Sequence, residues 1–339
     1  MLAVMVRKFG RIEDIALEKV PDPAAGPGQV VIEVAGAGVN FPDLLVTRGL
    51  YQILPPLPFT PGKEAAGVVA AVGEGVATCK PGDRVIALIE YGSYCERLLA
   101  PAANCFVMPD SMQMVEAAGF ALAYQTAHFA LLDRARLRPG EYVLVTGAAG
   151  GVGLACVRLA KALGARVIAA VSTPEKGNLA IQAGAESLVD TSGENLRDSI
   201  RDQVRARTAN HGADVVLEVV GGDVFDGALR ALAWRGRLVT LGFAGGRIPK
   251  LSLNAVLLKN IEISGLHWSD YREWHPDWMR RAQEHLFRLY EEGKLPATID
   301  RTMPLAQVVD AMALLQDRKV MGKVVLTMGE TAQREQSNT

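Results

Sequence analysis

The rhythm of apolar and polar positions changes twice along the chain. Up to about residue 110, short β-branched runs are cut by Gly/Pro punctuation. Residues 30–34, 66–72 and 84–88 read as strands, separated by Pro27-Gly28, Pro61-Gly62 and Pro81-Gly82-Asp83. That spacing predicts a small β-barrel or distorted sheet. The pattern changes at Met114, and residues 115–135, with few breakers, read as one helix. From Tyr142 to Gly265, strand-like runs alternate with amphipathic stretches. Strands are predicted at 142–146, 166–171, 187–190, 214–220, 237–242 and 261–265. Helices are predicted at 152–163, 174–183, 196–208 and 224–233. Thr173-Pro174 supplies an N-cap and a proline at the first helical position. Gly164, Gly184 and Gly236 fall where helix C-caps belong. Repeated β-α units of this kind predict an α/β fold with a doubly wound parallel sheet. Beyond Gly265 the pattern is mixed: an aromatic-rich stretch at 267–278, helices at 279–292 and 304–318, a last strand at 323–328, and a polar tail from Gly329.

Composition narrows the class. A length of 339 residues favours two domains. Lys+Arg is 36 against 37 Asp+Glu, and the resulting net charge of −1 argues against nucleic acid as a partner. No apolar run reaches the roughly 18 residues of a membrane span, and the first residues do not form a signal peptide. Cys79, Cys95, Cys105 and Cys156 form no C-x-x-C pair. They read as reduced thiols, which points to a cytoplasmic protein without a membrane partner. The skewed count is glycine, 34 residues, against a usual share of about 7%.

Several glycines crowd into one place. Residues 142–153 run from a predicted strand into a predicted helix through Thr146-Gly147-Ala148-Ala149-Gly150-Gly151-Val152-Gly153. A pyrophosphate needs backbone N–H groups brought close at the positive end of a helix. Ala149, Gly150, Gly151 and Val152 are therefore candidate cofactor contacts. Gly150 and Gly151 permit close approach, and Gly153 lets the helix pack on the strand. The second strand bears on cofactor choice. It ends Ala170-Val171-Ser172-Thr173-Pro174-Glu175-Lys176, with no acid at its tip to bond ribose hydroxyls. Ser172 and Lys176 can instead bond and neutralise a 2′-phosphate, which favours NADPH over NADH.

The motifs together resemble the zinc-independent quinone oxidoreductase branch of the medium-chain dehydrogenase/reductase superfamily. They are the glycine turn, Pro139-Gly140 before its strand, Asn40-Phe41-Pro42-Asp43, Gly49-Leu50-Tyr51, residues 61–69 and Gly322-Lys323-Val324-Val325-Leu326. The resemblance spans roughly residues 1–328. It implies a Rossmann-type sheet (residues 125–265) inserted in a GroES-like β-rich catalytic domain (residues 1–124 and 266–328), with residues 329–339 a tail and the cofactor in the cleft between the domains. Alcohol dehydrogenases of the superfamily hold a catalytic zinc through Cys and His. Asn40 and Lys63 stand at those positions here. Neither replaces a zinc ligand. No four-cysteine lobe lies near residue 100, and His128, His211, His267, His275 and His285 lack metal spacing. No metal is expected.

Without a Lewis acid, hydride transfer to an electron-poor acceptor is the easier chemistry. The resemblance implies reduction of a quinone or similar conjugated carbonyl. The alternatives are reduction of enoyl thioesters or alkenals, and a catalytically poor NADPH-binding protein. Tyr51 is the first candidate donor to the developing oxyanion, and Asn40 the second. Asp43 is expected to order its loop, and Lys63 to pair with Glu64 or Asp43 or to act in catalysis. The family pattern places Thr126, Gly242, Phe243, Ala244, Leu266 and Trp268 around the nicotinamide and Thr191 near the adenine end, where Asp190 would oppose a phosphate. Trp268, Trp274 and Trp278 form an aromatic cluster, either an acceptor wall or a packing surface. If that stretch is helical, Trp274 and Trp278 share a face. The last sheet strand, with a free edge, predicts a homodimer.

Overall fold

The computed structural model describes residues 1–329. The tail expected beyond Gly329 lies outside the described residues. The chain forms two units. The first comprises Met1–Leu122, Tyr271–Phe287 and the stretch from Pro296 onward; the second comprises Ala123–Asp270 and Arg288–Leu295.

The second unit is a six-stranded, all-parallel sheet. Its strands are β1 (Tyr142–Thr146), β2 (Arg166–Val171), β3 (Ser187–Asp190), β4 (Ala213–Glu218), β5 (Leu232–Thr240) and β6 (Glu262–Gly265). Their spatial order is β3-β2-β1-β4-β5-β6. That is the doubly wound order, in which the direction of winding reverses between β1 and β4. Four helices, α1 (Gly151–Ala162), α2 (Pro174–Gln182), α3 (Leu196–Arg207) and α4 (Gly222–Ala231), connect successive strands. Buried Leu144, Ile168, Val189, Ile200, Val216, Phe225 and Leu238 form one core between sheet and helices.

In the first unit, the strand Gln29–Val39 is the hub. It pairs antiparallel with Glu64–Val72, Arg97–Pro101 and Lys323–Thr327. Lys323–Thr327 in turn pairs parallel with Ile299–Pro304. The sheet therefore pairs strands that precede the second unit in the sequence with strands that follow it. This is the Rossmann sheet in a GroES-like β-rich unit that the motifs implied.

Four local expectations are corrected. The predicted helix 115–135 is three pieces, Met114–Ala118, Ala121–His128 and a π-helical turn at Phe129–Arg134. It breaks at Gly119, where an added Cβ would meet Ile299 at 2.9 Å. Gly236 is not a helix cap but lies inside β5. Helix α4 stops at Ala231 because Leu232 already pairs with Ala213, and Arg235 takes the left-handed turn at φ 62°. Gly164 and Gly184 do take positive φ after α1 and α2. Trp274 and Trp278 do not share one helix, because Trp268–Trp274 and Pro276–Glu291 are separate helices divided before Pro276. The expected helix 304–318 spans only Val308–Gln316, preceded by a 3-10 turn at Leu305–Gln307. Pro304 ends a strand, Ile299–Pro304, that the apolar pattern did not reveal.

Candidate active site

In the second unit, β1 passes into α1 through the glycine turn. Gly147 adopts φ +57°, a conformation costly for residues with a Cβ. The Gly150 N–H donates to the Gly147 carbonyl at 3.1 Å, and Gly150 is the N-cap of α1. An added Cβ at Gly153 would lie 2.2 Å from the Gly147 carbonyl oxygen, so the turn and helix touch backbone to backbone. The first-turn N–H groups of α1 lack intrahelical acceptors and sit at the positive end of the helix. Such a turn fits a pyrophosphate.

Glu218, at the end of β4, secures this region. Its buried carboxylate accepts from the Thr146 hydroxyl at 3.1 Å and from the N–H groups of Val220 and Gly221 at 2.9 and 2.8 Å. Burial pushes its carboxyl upward, and the two N–H bonds oppose that shift. The pairing ties β1 to β4 where the winding reverses. A lone Glu in an apolar strand gave no sign of it.

Ser172, Thr191, Gly242, Phe243, Ala244 and Leu266 follow strand C-terminal ends, whereas Thr126 lies on a helix. Ser172 is exposed beyond β2, and Lys176 lies in the first turn of α2, where its N–H donates to the Thr173 hydroxyl. Thr191 N–H donates to Val171, and the exposed Asp190 carboxylate accepts from Ser192 N–H at 2.8 Å. That bond holds Asp190 below the usual carboxylate range, so it remains anionic. Gly242, Phe243 and Ala244 follow β5, with Ala244 N–H on the Val219 carbonyl. Leu266 N–H donates to Thr240 at 3.1 Å. The buried Trp268 donates its indole N–H to Gln125 at 3.2 Å, beside Thr126 on the helix Ala121–His128.

In the first unit, Asn40 caps the helix Phe41–Thr47, and Asp43 accepts from the Asn40 N–H at 2.9 Å. The Asn40 side-chain amide donates to the Gly38 carbonyl and to Glu64, both at 3.1 Å, and its oxygen accepts from Lys323 at 2.5 Å. Both amide protons are thereby engaged inside the protein. Glu64, fully buried, also accepts from Lys323 at 2.6 Å and from Leu122 N–H at 3.1 Å. Asp43 accepts from the Tyr94 hydroxyl at 2.7 Å. Burial pushes the Asp43 carboxyl up to about 6, against the pull of Tyr94 and Lys63. Asp43 thus orders the loop as expected.

Lys63 pairs with neither Glu64 nor Asp43, because Glu64 faces Lys323. It pairs with Glu90, which also holds Arg272 at 2.9 Å, and it lies 4.8 Å above the centre of the Tyr51 ring. Tyr51 is half-buried. The aromatic cluster divides: Trp268 is buried, Trp274 is largely exposed, and Trp278 stacks on His275 with ring centres 4.4 Å apart. Neither the amide of Asn40 nor the ammonium of Lys63 replaces a thiolate or imidazole zinc ligand. Among the described residues no group of three or more His, Cys, Asp or Glu could hold one.

Comparison with known proteins agrees with this architecture. Residues 26–121 match the alcohol dehydrogenase GroES-like domain, and residues 151–284 match a family described as zinc-binding dehydrogenase. Rat quinone oxidoreductase-like protein 2 is 40% identical over 319 residues, covering 93% of this chain and 89% of the relative. A mycobacterial protein complexed with NADPH superposes with a TM-score of 0.91 at 32% identity, over 97% of this chain and 100% of the other. Escherichia coli quinone oxidoreductase complexed with NADPH gives 0.90 at 28% identity, over 97% and 100%. The chain belongs to the quinone oxidoreductase branch of the medium-chain dehydrogenase/reductase superfamily.

Proposed function

We propose that this chain is an NADPH-dependent oxidoreductase that reduces a quinone or similar conjugated carbonyl without zinc. The observation that carries the reading is the glycine turn at the head of α1, packed backbone to backbone through Gly153 at the winding reversal. Bound there, NADPH would supply the hydride. Ala149, Gly150, Gly151 and Val152 would present N–H groups to the pyrophosphate. Thr126, Gly242, Phe243, Ala244, Leu266 and Trp268 would surround the nicotinamide. Tyr51 would donate a hydrogen bond to the oxygen that gains charge as hydride arrives. Asn40, with both amide protons engaged, would hold the loop instead of donating. NADPH oxidation measured with a panel of quinones, enones and enoyl-CoA tests the reading. Turnover with quinones supports it; turnover only with enoyl-CoA or alkenals supports the alternative. Turnover with none overturns it and leaves a binding protein. Tyr51→Phe should lower kcat and leave NADPH affinity unchanged.

Ser172 and Lys176 would bond the 2′-phosphate, and the anionic Asp190 near Thr191 would hold the affinity to a modest level. Lys176→Glu should weaken NADPH selectively, so that the ratio of NADPH to NADH dissociation constants rises at least tenfold. Equal loss for both cofactors would remove Lys176 from the phosphate site.

A second copy of the chain is the proposed partner. Strand β6 is at the end of its sheet. The helix Leu253–Lys259 just before it has no buried residue and exposes Leu253, Leu257 and Leu258 by 75, 76 and 76%. Three neighbouring leucines in water mark a surface that another chain covers. Leu257→Asp should halve the mass measured by light scattering. A monomeric mass for the unaltered chain would end the proposal.

No helix among the described residues is long and apolar enough to cross a membrane. The free, buried thiols and the net charge of −1 support a cytoplasmic enzyme with a small-molecule acceptor.

A further inference from the structure

Lys63 is 2% exposed, a rare state for lysine. Its ammonium donates to the Glu90 carbonyl at 3.1 Å and to the Glu90 carboxylate, and it lies over the Tyr51 ring. Glu90 does not require it for neutrality, because Arg272 already pairs with the same carboxylate. Lys63 and Arg272 therefore share one carboxylate, which keeps 13% exposure, and the buried Asp43 is the other anion that feels the Lys63 charge. Desolvating an ammonium is costly, and the face of the aromatic ring beside it offsets part of that cost.

The surroundings of Tyr51 explain what such a contact does. Its neighbours Leu50, Ile53, Leu54 and Leu57 are exposed. Tyr51 itself is half-buried and packs against the core of this unit, while these neighbours face solvent. Lys63, in contrast, immediately precedes the strand Glu64–Val72, which pairs with Gln29–Val39 and Arg84–Leu88. A cation on the ring face both fixes the ring and draws charge from the phenol oxygen, which strengthens its O–H as a donor. Asp43 also feels the Lys63 charge, but its carboxylate faces Tyr94 and the Asn40 N–H.

We propose that Lys63, held by Glu90 and lying over Tyr51, is a positioning residue that fixes the Tyr51 phenol against the acceptor and sharpens it as a donor. The proposal rests on the reading of Tyr51 given above. It assigns a use to a lysine standing where zinc-dependent relatives carry a histidine ligand.

A double-mutant cycle on the full chain tests it, with NADPH and a 1,4-naphthoquinone as probes. Lys63→Met leaves Glu90 paired with Arg272, so the fold is retained and thermal unfolding serves as the control. It should lower kcat about tenfold, with KM and NADPH affinity within twofold of the unaltered enzyme. Lys63→Arg should recover most of the loss. In Lys63→Met/Tyr51→Phe the loss should equal that of Tyr51→Phe alone, because Lys63 acts through the phenol. Multiplying losses, or full activity in Lys63→Met, overturn the proposal and leave the role of Tyr51 standing. Full activity in Tyr51→Phe removes that role and the proposal with it. Should Lys63→Met not fold, Lys63→Gln keeps a donor toward Glu90, removes the charge, and carries the same expectations.

Discussion

Replacing Lys323 by methionine should lower stability by about 3–5 kcal/mol. Lys323 and Glu64 are 7 and 0% exposed, with Nζ and Oε1 2.6 Å apart. Methionine matches the length of the stem but leaves the Glu64 carboxylate buried with only neutral donors, the Asn40 amide and the Leu122 N–H. A carboxylate in that state either carries the full desolvation cost or takes up a proton. The double variant Lys323→Met/Glu64→Gln should be more stable than Lys323→Met, because it removes the stranded charge and keeps a side chain of the same shape. Urea denaturation measures both. A loss below about 1 kcal/mol in the single variant would show that the pair contributes nothing once desolvation is counted.

Two alanine substitutions, three residues apart, should behave differently. Gly153→Ala places a Cβ 2.2 Å from the Gly147 carbonyl oxygen and 2.8 Å from Ala148 Cα. Both are backbone atoms that cannot turn aside. The turn and α1 must separate, with a stability loss of about 1–3 kcal/mol and an NADPH affinity at least tenfold weaker. At Gly150 the nearest atom to an added Cβ is the Gly147 carbonyl oxygen at 3.5 Å, an ordinary contact. Gly150→Ala should therefore unfold at the same temperature and weaken only NADPH, because the new methyl lies where a phosphate would approach. Fluorescence titration and a thermal melt separate the two effects. Unchanged affinity in both variants would place the pyrophosphate elsewhere.

The second unit was largely legible because its signals are local. β1, β2 and β3 fall where the apolar runs predict, and Thr173-Pro174 starts α2 as its chemistry requires. Alternating strand and helix needs only neighbouring residues to be recognised. The first unit was less legible because its order is set by distant partners. Ile299–Pro304 contains Asp300 and Arg301 and becomes a strand through pairing with Lys323–Thr327. Within the second unit the same effect is seen at β5, where Arg235 takes the left-handed turn that Gly236 was expected to supply, because the pairing of Ala213 with Leu232 fixes where the strand begins. The site shows the same division. The glycine turn is one continuous motif, whereas Lys323 on Glu64, Glu90 on Lys63 and Glu218 on Thr146 join residues whose types carry no sign of their partners. Residue type alone set Asn40 and Lys63 apart from the thiolate and imidazole that bind zinc; what they bond to needed the fold.

The pairing of Lys323 with Asn40 also sets an order of events during synthesis. The two residues are 283 positions apart. When the Gln29–Val39 strand leaves the ribosome, its partner Lys323–Thr327 has not been made, and the whole second unit must be translated first. The second unit has short-range connections and can fold while the hub strand still presents an open edge. Until the last strand arrives, that edge is a template for any other extended chain, and Glu64 lacks its cation. Closure of the GroES-like sheet therefore cannot precede synthesis of its last strand, and until then the hub strand lacks one of its partners.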